Sequence, residues 1–206
     1  MLTAPIFHHT YQVYINHTDA GGIVYHANHL VFYEHSRRDW FAKLGLNAYF
    51  FNTSSSVMNQ ATHADNGAET ATHNDIHHFV VADAHLKYQQ PILLDETIAV
   101  TIDNVTLRAA SLIFEQSIYR LSKEAENLAD AADEPTNVTP AFVKKSQLLS
   151  QARIVIACVH NELVLNPESE LIAAEGIPVA SRPQLKIRPA RLPQSLRAAI
   201  EQVLAY

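Results

Sequence analysis

The chain has 206 residues, 48% of them hydrophobic and 17% charged, an ordinary globular balance and neither a disordered nor a fibrous one. A formal net charge of −6 argues against a general nucleic-acid binder, and a lone cysteine, Cys158, excludes an internal disulfide framework and a cysteine-rich zinc site. The first residues, MLTAPIFHHT, show no basic segment and no long apolar stretch, and no apolar run approaches the ~20 residues of a membrane helix, so the expectation is a cytoplasmic protein without a membrane span.

Residues 6–15 alternate, with Phe7, His9, Tyr11, Val13 and Ile15 on one side, and this period of two predicts a strand. NHTDAGG follows, a loop by composition. From residue 25 to residue 44 the spacing turns helical. Leu30, Tyr33, Arg37, Trp40, Phe41 and Leu44 share a face, and Gly45 sits where a helix-ending glycine belongs. Val31 and Phe32 lie on other faces, so the helix is predicted to be buried nearly all round at that end. Its start is expected near Tyr25 or His26.

Residues 52–78 are polar and aperiodic and read as a loop insertion. Strands are predicted over 79–88, 96–106, 110–121 and 152–159, the last a continuous apolar run of the kind buried on both faces. Residues 122–150 and 160–185 read as two further insertions. Residues 193–205 read as a short amphipathic helix opened by Pro193. The fold class is therefore α+β, with consecutive strands in an antiparallel sheet and one long helix across it. With the three insertions set aside, roughly 120 residues remain, the size of a single domain, so 1–206 is expected to be one.

The segment richest in chemistry is YINHTDAGGIVYHANHLVFYE, residues 14–34. Asp19 lies in a loop after a strand. Gly21 and Gly22, two of only five glycines, allow positive φ or a close backbone approach. A helix start follows, whose unpaired N–H groups can hold a developing oxyanion. A carboxylate, a flexible turn and a set of donors in one place are equipment for acyl transfer to water.

TDAGGIVYHANHLVFYEHSR resembles the hot-dog-fold acyl-CoA thioesterases, most of all the branch associated with the Tol–Pal system, and is more distantly similar to 4-hydroxybenzoyl-CoA thioesterase. The likeness continues through FVVADAHLKYQQPILLDETIAV, LIFEQSIYRL, ARIVIACV and KIRPARLPQSL. It implies a five-stranded antiparallel sheet wrapped around one long helix. It also implies a homodimer or homotetramer with sites at subunit interfaces, and an acyl-CoA substrate or an acyl carrier protein in its place. Coenzyme A enters only as part of the substrate, and no other cofactor is implied. The resemblance makes Asp19 the nucleophile or general base and the His26 N–H the oxyanion donor, with the His26 side chain orienting substrate or water. Tyr25, Gly22 and Asn28 match positions that shape the substrate site. Glu34 matches a helix acid that is catalytic in other branches, though a structural pairing with a nearby Arg is the ordinary reading. The resemblance does not by itself place the basic stretch Lys186, Arg188 and Arg191.

Two other functions stay open at this point: a scaffold that binds acyl-CoA or an acyl carrier without turnover, and a hot-dog dehydratase acting on hydroxyacyl thioesters. The histidines His26 and His29, and His73, His77 and His78, are expected to be ordinary or solvated and not a metal site, which needs three or four converging ligands. Cys158, in an apolar run, is expected to be a small buried hydrophobe.

Overall fold

A computed structural model describes residues 4–46, 50–52, 76–121, 147–164 and 184–204. The bulk of the predicted insertions lies outside these residues. Seven strands form one antiparallel sheet in the order β1-β4-β5-β6-β3-β2, with β7 also paired to β6. They are β1 (Phe7–Gln12), β2 (Phe50–Asn52), β3 (Ile76–Tyr88), β4 (Thr97–Leu107), β5 (Ser111–Arg120), β6 (Gln147–Val164) and β7 (Gln184–Pro189). One long helix, α1 (Asn28–Lys43), packs on the sheet, and α2 (Gln194–Leu204) closes the described chain.

The five predicted strands are present, and two short ones are added. The first, β2, covers the start of β3, pairing Phe50 with His78. The second, β7, pairs with β6 from Val159 onward, beyond the stretch of β6 that β5 occupies. The predicted insertion boundaries therefore need correction. Residues 76–78, 147–150 and 160–164 are strand, not loop. Polar residues are tolerated there because cross-strand pairing supplies the backbone bonds that composition cannot reveal. The first strand is shorter than its alternation suggests: after Gln12 the chain enters a 3-10 turn at Ile15–His17.

The core lies between α1 and the sheet. Phe32, Tyr33, Trp40 and Phe41 from α1 meet Ile98, Val100, Ile102, Leu112, Phe114, Ile118, Ile154 and Ile156. Val155 and Ala157, between the buried positions of β6, are only half-buried, so that strand is less covered on its outer face than its apolar run predicts. Tyr11 donates its hydroxyl to Asp39, tying the edge strand β1 to α1.

The helix ends as predicted. Gly45 takes φ +75°, its N–H bonds to the Ala42 carbonyl at 2.9 Å, and the Leu46 N–H bonds to the Phe41 carbonyl at 2.8 Å. This is a Schellman closure, for which glycine has no Cβ penalty. The predicted inward face and the predicted all-round burial of the helix start both need correction. His29, Phe32, Tyr33, Ser36, Arg37, Trp40 and Phe41 point inward, whereas Leu30 and Val31 are exposed, at 37% and 39%. Positions 29, 33, 36 and 40 hold the 3.6-residue stripe, so a histidine takes the inner place that Leu30 was expected to fill.

Candidate active site

The Asp19 loop is a tight hairpin. The Asp19 N–H donates to the Ile23 carbonyl at 2.9 Å, the Gly22 N–H donates to the Asp19 carbonyl at 3.1 Å, and Thr18 pairs with Val24. Gly22 sits at φ +74°, so positive φ is what the second glycine supplies. Gly21 serves a different need. Its N–H donates to Asp19 Oδ1 at 2.8 Å, and a Cβ on Gly21 would stand 3.1 Å from that oxygen. The turn thus holds one carboxylate oxygen by a backbone donor, and a side chain at position 21 would crowd that oxygen. Asp19 is exposed, and its Oδ2 bonds to no described residue.

At the base of the hairpin, the His17 carbonyl accepts both the Tyr25 N–H at 2.9 Å and the Asn28 side-chain amide at 2.7 Å. Asn28 is the first residue of α1, so this double bond fastens the hairpin to the helix start. From the 17/25 pair to the 19/23 pair is two residues, about 7 Å along the hairpin. Asp19 therefore lies two residues along the hairpin from the point where the hairpin is fastened to the helix start.

That N-terminus begins later than predicted. Tyr25 and His26 precede the helix, and Ala27 is its N-cap at φ −71°, ψ −25°. Asn28 N–H bonds back to the Tyr25 carbonyl at 2.8 Å, making the entrance a turn before the first helical residue. No side chain caps the helix and its first turn carries no acid. A helix start normally has its open donors met by a Ser, Thr, Asp or Asn side chain. Here the N–H groups of His26 and Ala27 find no backbone acceptor among the described residues. The end that carries positive potential is left open.

A second loop braces the hairpin. Val24 N–H donates to the Ile92 carbonyl at 2.8 Å, Leu94 N–H donates to the Gly22 carbonyl at 3.2 Å, and Ile23 pairs with Leu93. Glu96 fixes that loop by accepting the Leu93 N–H at 3.1 Å, and it pairs with Arg120 at 2.9 Å. Arg120 also donates to the Pro91 carbonyl at 2.8 Å. No sequence spacing connects residues 19–24, 91–96 and 120; only the fold does.

Behind the helix entrance lies a buried polar group that sequence reading missed. His29 Nδ1 is 3.1 Å from Ser150 Oγ, and Tyr33 Oη is 2.7 Å from the same oxygen. Tyr33 and Ser150 are fully buried and His29 nearly so. Both hydroxyl hydrogens are used if Tyr33 donates to Ser150 and Ser150 donates to His29 Nδ1, an arrangement that takes His29 as the neutral Nε2–H tautomer. Burial, with His26 nearby, lowers the His29 pKa from 6.5 to about 4, in accord with that neutral acceptor role. Between pH 6.5 and pH 4 the unfolded chain then takes up a proton that the native state refuses, so stability falls as pH drops through that window. His8, lowered to about 4 by burial, contributes in the same direction. Replacing His29 with Asn keeps an acceptor for Ser150 and removes one titrating group. The expected result is a shallower decline in melting temperature between pH 6.5 and 4 for H29N than for the parent, read by thermal denaturation at several pH values; parallel declines would contradict it.

The other predicted residues are placed as follows. Tyr25 is exposed at 44%, with its ring 4.3 Å from that of His26, which is also exposed. Glu34 is half-buried on α1, and no hydrogen bond or ion pair joins it to an arginine among the described residues. Lys186 and Arg188 are on β7, and Arg191 follows it. That stretch pairs with the far end of β6, beginning nine residues from Ser150, or about 30 Å along the strand. Within one chain it is not beside Asp19. Cys158 is buried, and burial pushes its thiol up to about 11, which leaves it unreactive. His77 and His78 lie on β3, while His73 is outside the described residues. Among the described residues no three His, Cys, Asp or Glu side chains are grouped to hold a metal.

The family model for the thioesterase-like superfamily matches residues 13–200. The chain belongs to that superfamily. An Escherichia coli O6:H1 protein named acyl-CoA thioester hydrolase YbgC is 30% identical over 149 residues, covering 70% of this chain and 95% of that protein. Among solved structures, the dynemicin thioesterase superposes with a TM-score of 0.55 at 18% identity, covering 96% of each chain. A mutant 4-hydroxybenzoyl-CoA thioesterase, crystallised with 4-hydroxybenzoyl-CoA, superposes with a TM-score of 0.53 at 12% identity, covering 94% of this chain and 96% of that one. At such identities these superpositions speak for the fold. The sheet wrapped on one long helix is the hot-dog arrangement, and the superfamily match spans the Asp19 hairpin, the helix entrance and the bracing loop together.

Proposed function

We propose that this chain hydrolyses acyl-CoA thioesters to the free acid and coenzyme A. The activity named for the Escherichia coli relative supports the reaction class. One local observation carries the assignment of residues: a carboxylate with a free oxygen, Asp19 Oδ2, sits on a hairpin that is fastened two residues away to an uncapped helix start. In this reading the thioester carbonyl oxygen sits at the His26 N–H. The C–O bond to the acyl carbon is formed either by Asp19 itself or by a water whose proton Asp19 takes. The tetrahedral oxygen gains negative charge at the helix end, where donors and dipole are already oriented. The C–S bond then breaks and coenzyme A leaves as the thiolate, which takes up a proton. Where water attacked, this is the proton held by Asp19. Where Asp19 attacked, water next hydrolyses the acyl–Asp19 anhydride, releasing the free acid and restoring the carboxylate. No metal or redox group is needed for these steps. Tyr25 and the His26 ring form the exposed wall beside the carbonyl; Gly22 shapes the site through its positive φ and Asn28 through its side-chain amide on the His17 carbonyl. Exposed Tyr14, Ile15, Ile23 and Leu93 lie around the hairpin, and in this reading a second copy of the chain covers them in a homodimer or homotetramer.

The test is a panel of acyl-CoAs of different chain lengths, with one aromatic member, followed by release of free thiol. The expected result is equal amounts of thiol and free acid from at least one member. Binding of every member with no thiol above the uncatalysed rate would overturn the proposal, and loss of water from a hydroxyacyl-CoA would replace it with a dehydratase.

A further inference from the structure

The helix entrance has a second hold besides Asn28. Tyr88, the last residue of β3, donates its hydroxyl to the His26 carbonyl at 3.1 Å. Its ring stands edge-on to the His29 ring, with centroids 4.9 Å apart at 84°. The β3–β6 register pairs Tyr88 with Ser150. A chain of contacts therefore runs from Tyr33 through Ser150 and His29 to Tyr88 and ends on the His26–Ala27 peptide.

In a trans peptide the C=O and the following N–H point in opposite directions. A donor clamped on the His26 carbonyl thus fixes the direction of the Ala27 N–H. It also draws electron density from that amide, which strengthens the Ala27 N–H as a donor. Ala27 is already in helical conformation, so its N–H points out of the helix start, as the neighbouring donors do.

We propose that Tyr88 is a positioning residue of the oxyanion site: its hydroxyl locks the His26–Ala27 peptide and aims the Ala27 N–H as a second donor beside that of His26. The proposal rests on the reading of the helix entrance as the place where the oxyanion forms. The phenol does not touch the substrate carbonyl; it acts through the peptide.

The experiment is Tyr88→Phe, which keeps the ring against His29 and deletes only a half-exposed hydroxyl. Two readings are taken on the full chain: amide proton and nitrogen shifts by NMR, and steady-state thiol release. The expected result is a displaced Ala27 amide signal with the hairpin amides 19–24 in place, and an unchanged melting temperature. It also includes a kcat about tenfold lower with KM unchanged, a modest share of the 10²–10³ that loss of a direct oxyanion donor costs. A merely structural role would not split kcat from KM. An Ala27 amide that does not move overturns the proposal whatever the rates do, and so does a displaced amide with kcat at the parent value. If the parent chain releases no thiol from any acyl-CoA, the hydrolase reading fails separately. The amide signal then decides alone: displaced, it upholds the clamp; unmoved, it overturns it.

Discussion

Asp19→Asn is expected to lower kcat for acyl-CoA hydrolysis about 10³-fold, within the 10²–10⁴ typical of a positioned acid or base. Asparagine is the informative replacement. Its side-chain oxygen can still accept the Gly21 N–H that now bonds Oδ1 at 2.8 Å, so the turn survives. What disappears is the negative charge and basicity of the oxygen that the turn leaves free. Because Asp19 is exposed and the Gly21 contact is retained, the melting temperature should stay close to that of the parent. KM should change little, since the carboxylate contributes to the transition state more than to ground-state binding. The measurement is kcat at saturating acyl-CoA beside a thermal melt. A folded D19N protein with parental kcat would remove Asp19 from the chemistry and direct attention to Glu34. Single-turnover hydrolysis in ¹⁸O water tests the covalent role of the carboxylate: label in Asp19 marks an acyl–Asp19 anhydride opened at the aspartyl carbon.

Much of this arrangement is legible before any coordinates. Period two over residues 6–15 and helical spacing over residues 25–44 reflect local geometry, although the strand stops at Gln12 and the helix starts at Asn28, and the glycines reflect it too. Gly22 and Gly45 both take positive φ, a backbone state that side-chain-bearing residues seldom adopt. Asp19 is conspicuous for the same reason, as an acidic residue beside two glycines and a helix start. The exact helix start is less legible, because a turn at Tyr25–Ala27 and a first helical turn share the same apolar spacing. The inward direction of His29 could not be read at all. A histidine is accepted there only because Ser150, 121 positions away in the chain, supplies its partner. The Glu96–Arg120 brace and the Tyr88 clamp are likewise products of strand register. Short strands such as β2 and β7 escape detection because their stability comes from the neighbour they pair with and not from their own composition.

Trp40→Ala is expected to cost about 3–5 kcal/mol of stability, the range for deleting a buried aromatic ring. Trp40 is 2% exposed and meets Phe114 edge-on at 5.7 Å and Phe41 at 5.4 Å. No polar substitute reaches that space, so the cavity stays empty or collapses at the expense of the α1–sheet contact. For a chain of this size the loss corresponds to a melting temperature lower by roughly 6–20 °C. The site should respond differently from the core. Trp40 lies twelve residues beyond the first residue of α1, about 18 Å along the axis, while the hairpin is fastened at the other end by Asn28, Leu94 and the Ile92 carbonyl. Activity per folded molecule at low temperature should therefore stay within about twofold of the parent, because sites this far apart with no shared partner behave independently. Leu30→Ala is the internal control: the residue is exposed at 37%, and its truncation should cost under about 0.5 kcal/mol despite its place in the same helix. Urea unfolding of the three proteins, with thiol release measured on each well below its transition, tests the separation. A W40A protein that loses activity in its fully folded range would show that the central helix transmits core packing to the oxyanion site, and the anchoring of its N-terminus by Asn28 would then be insufficient to isolate it.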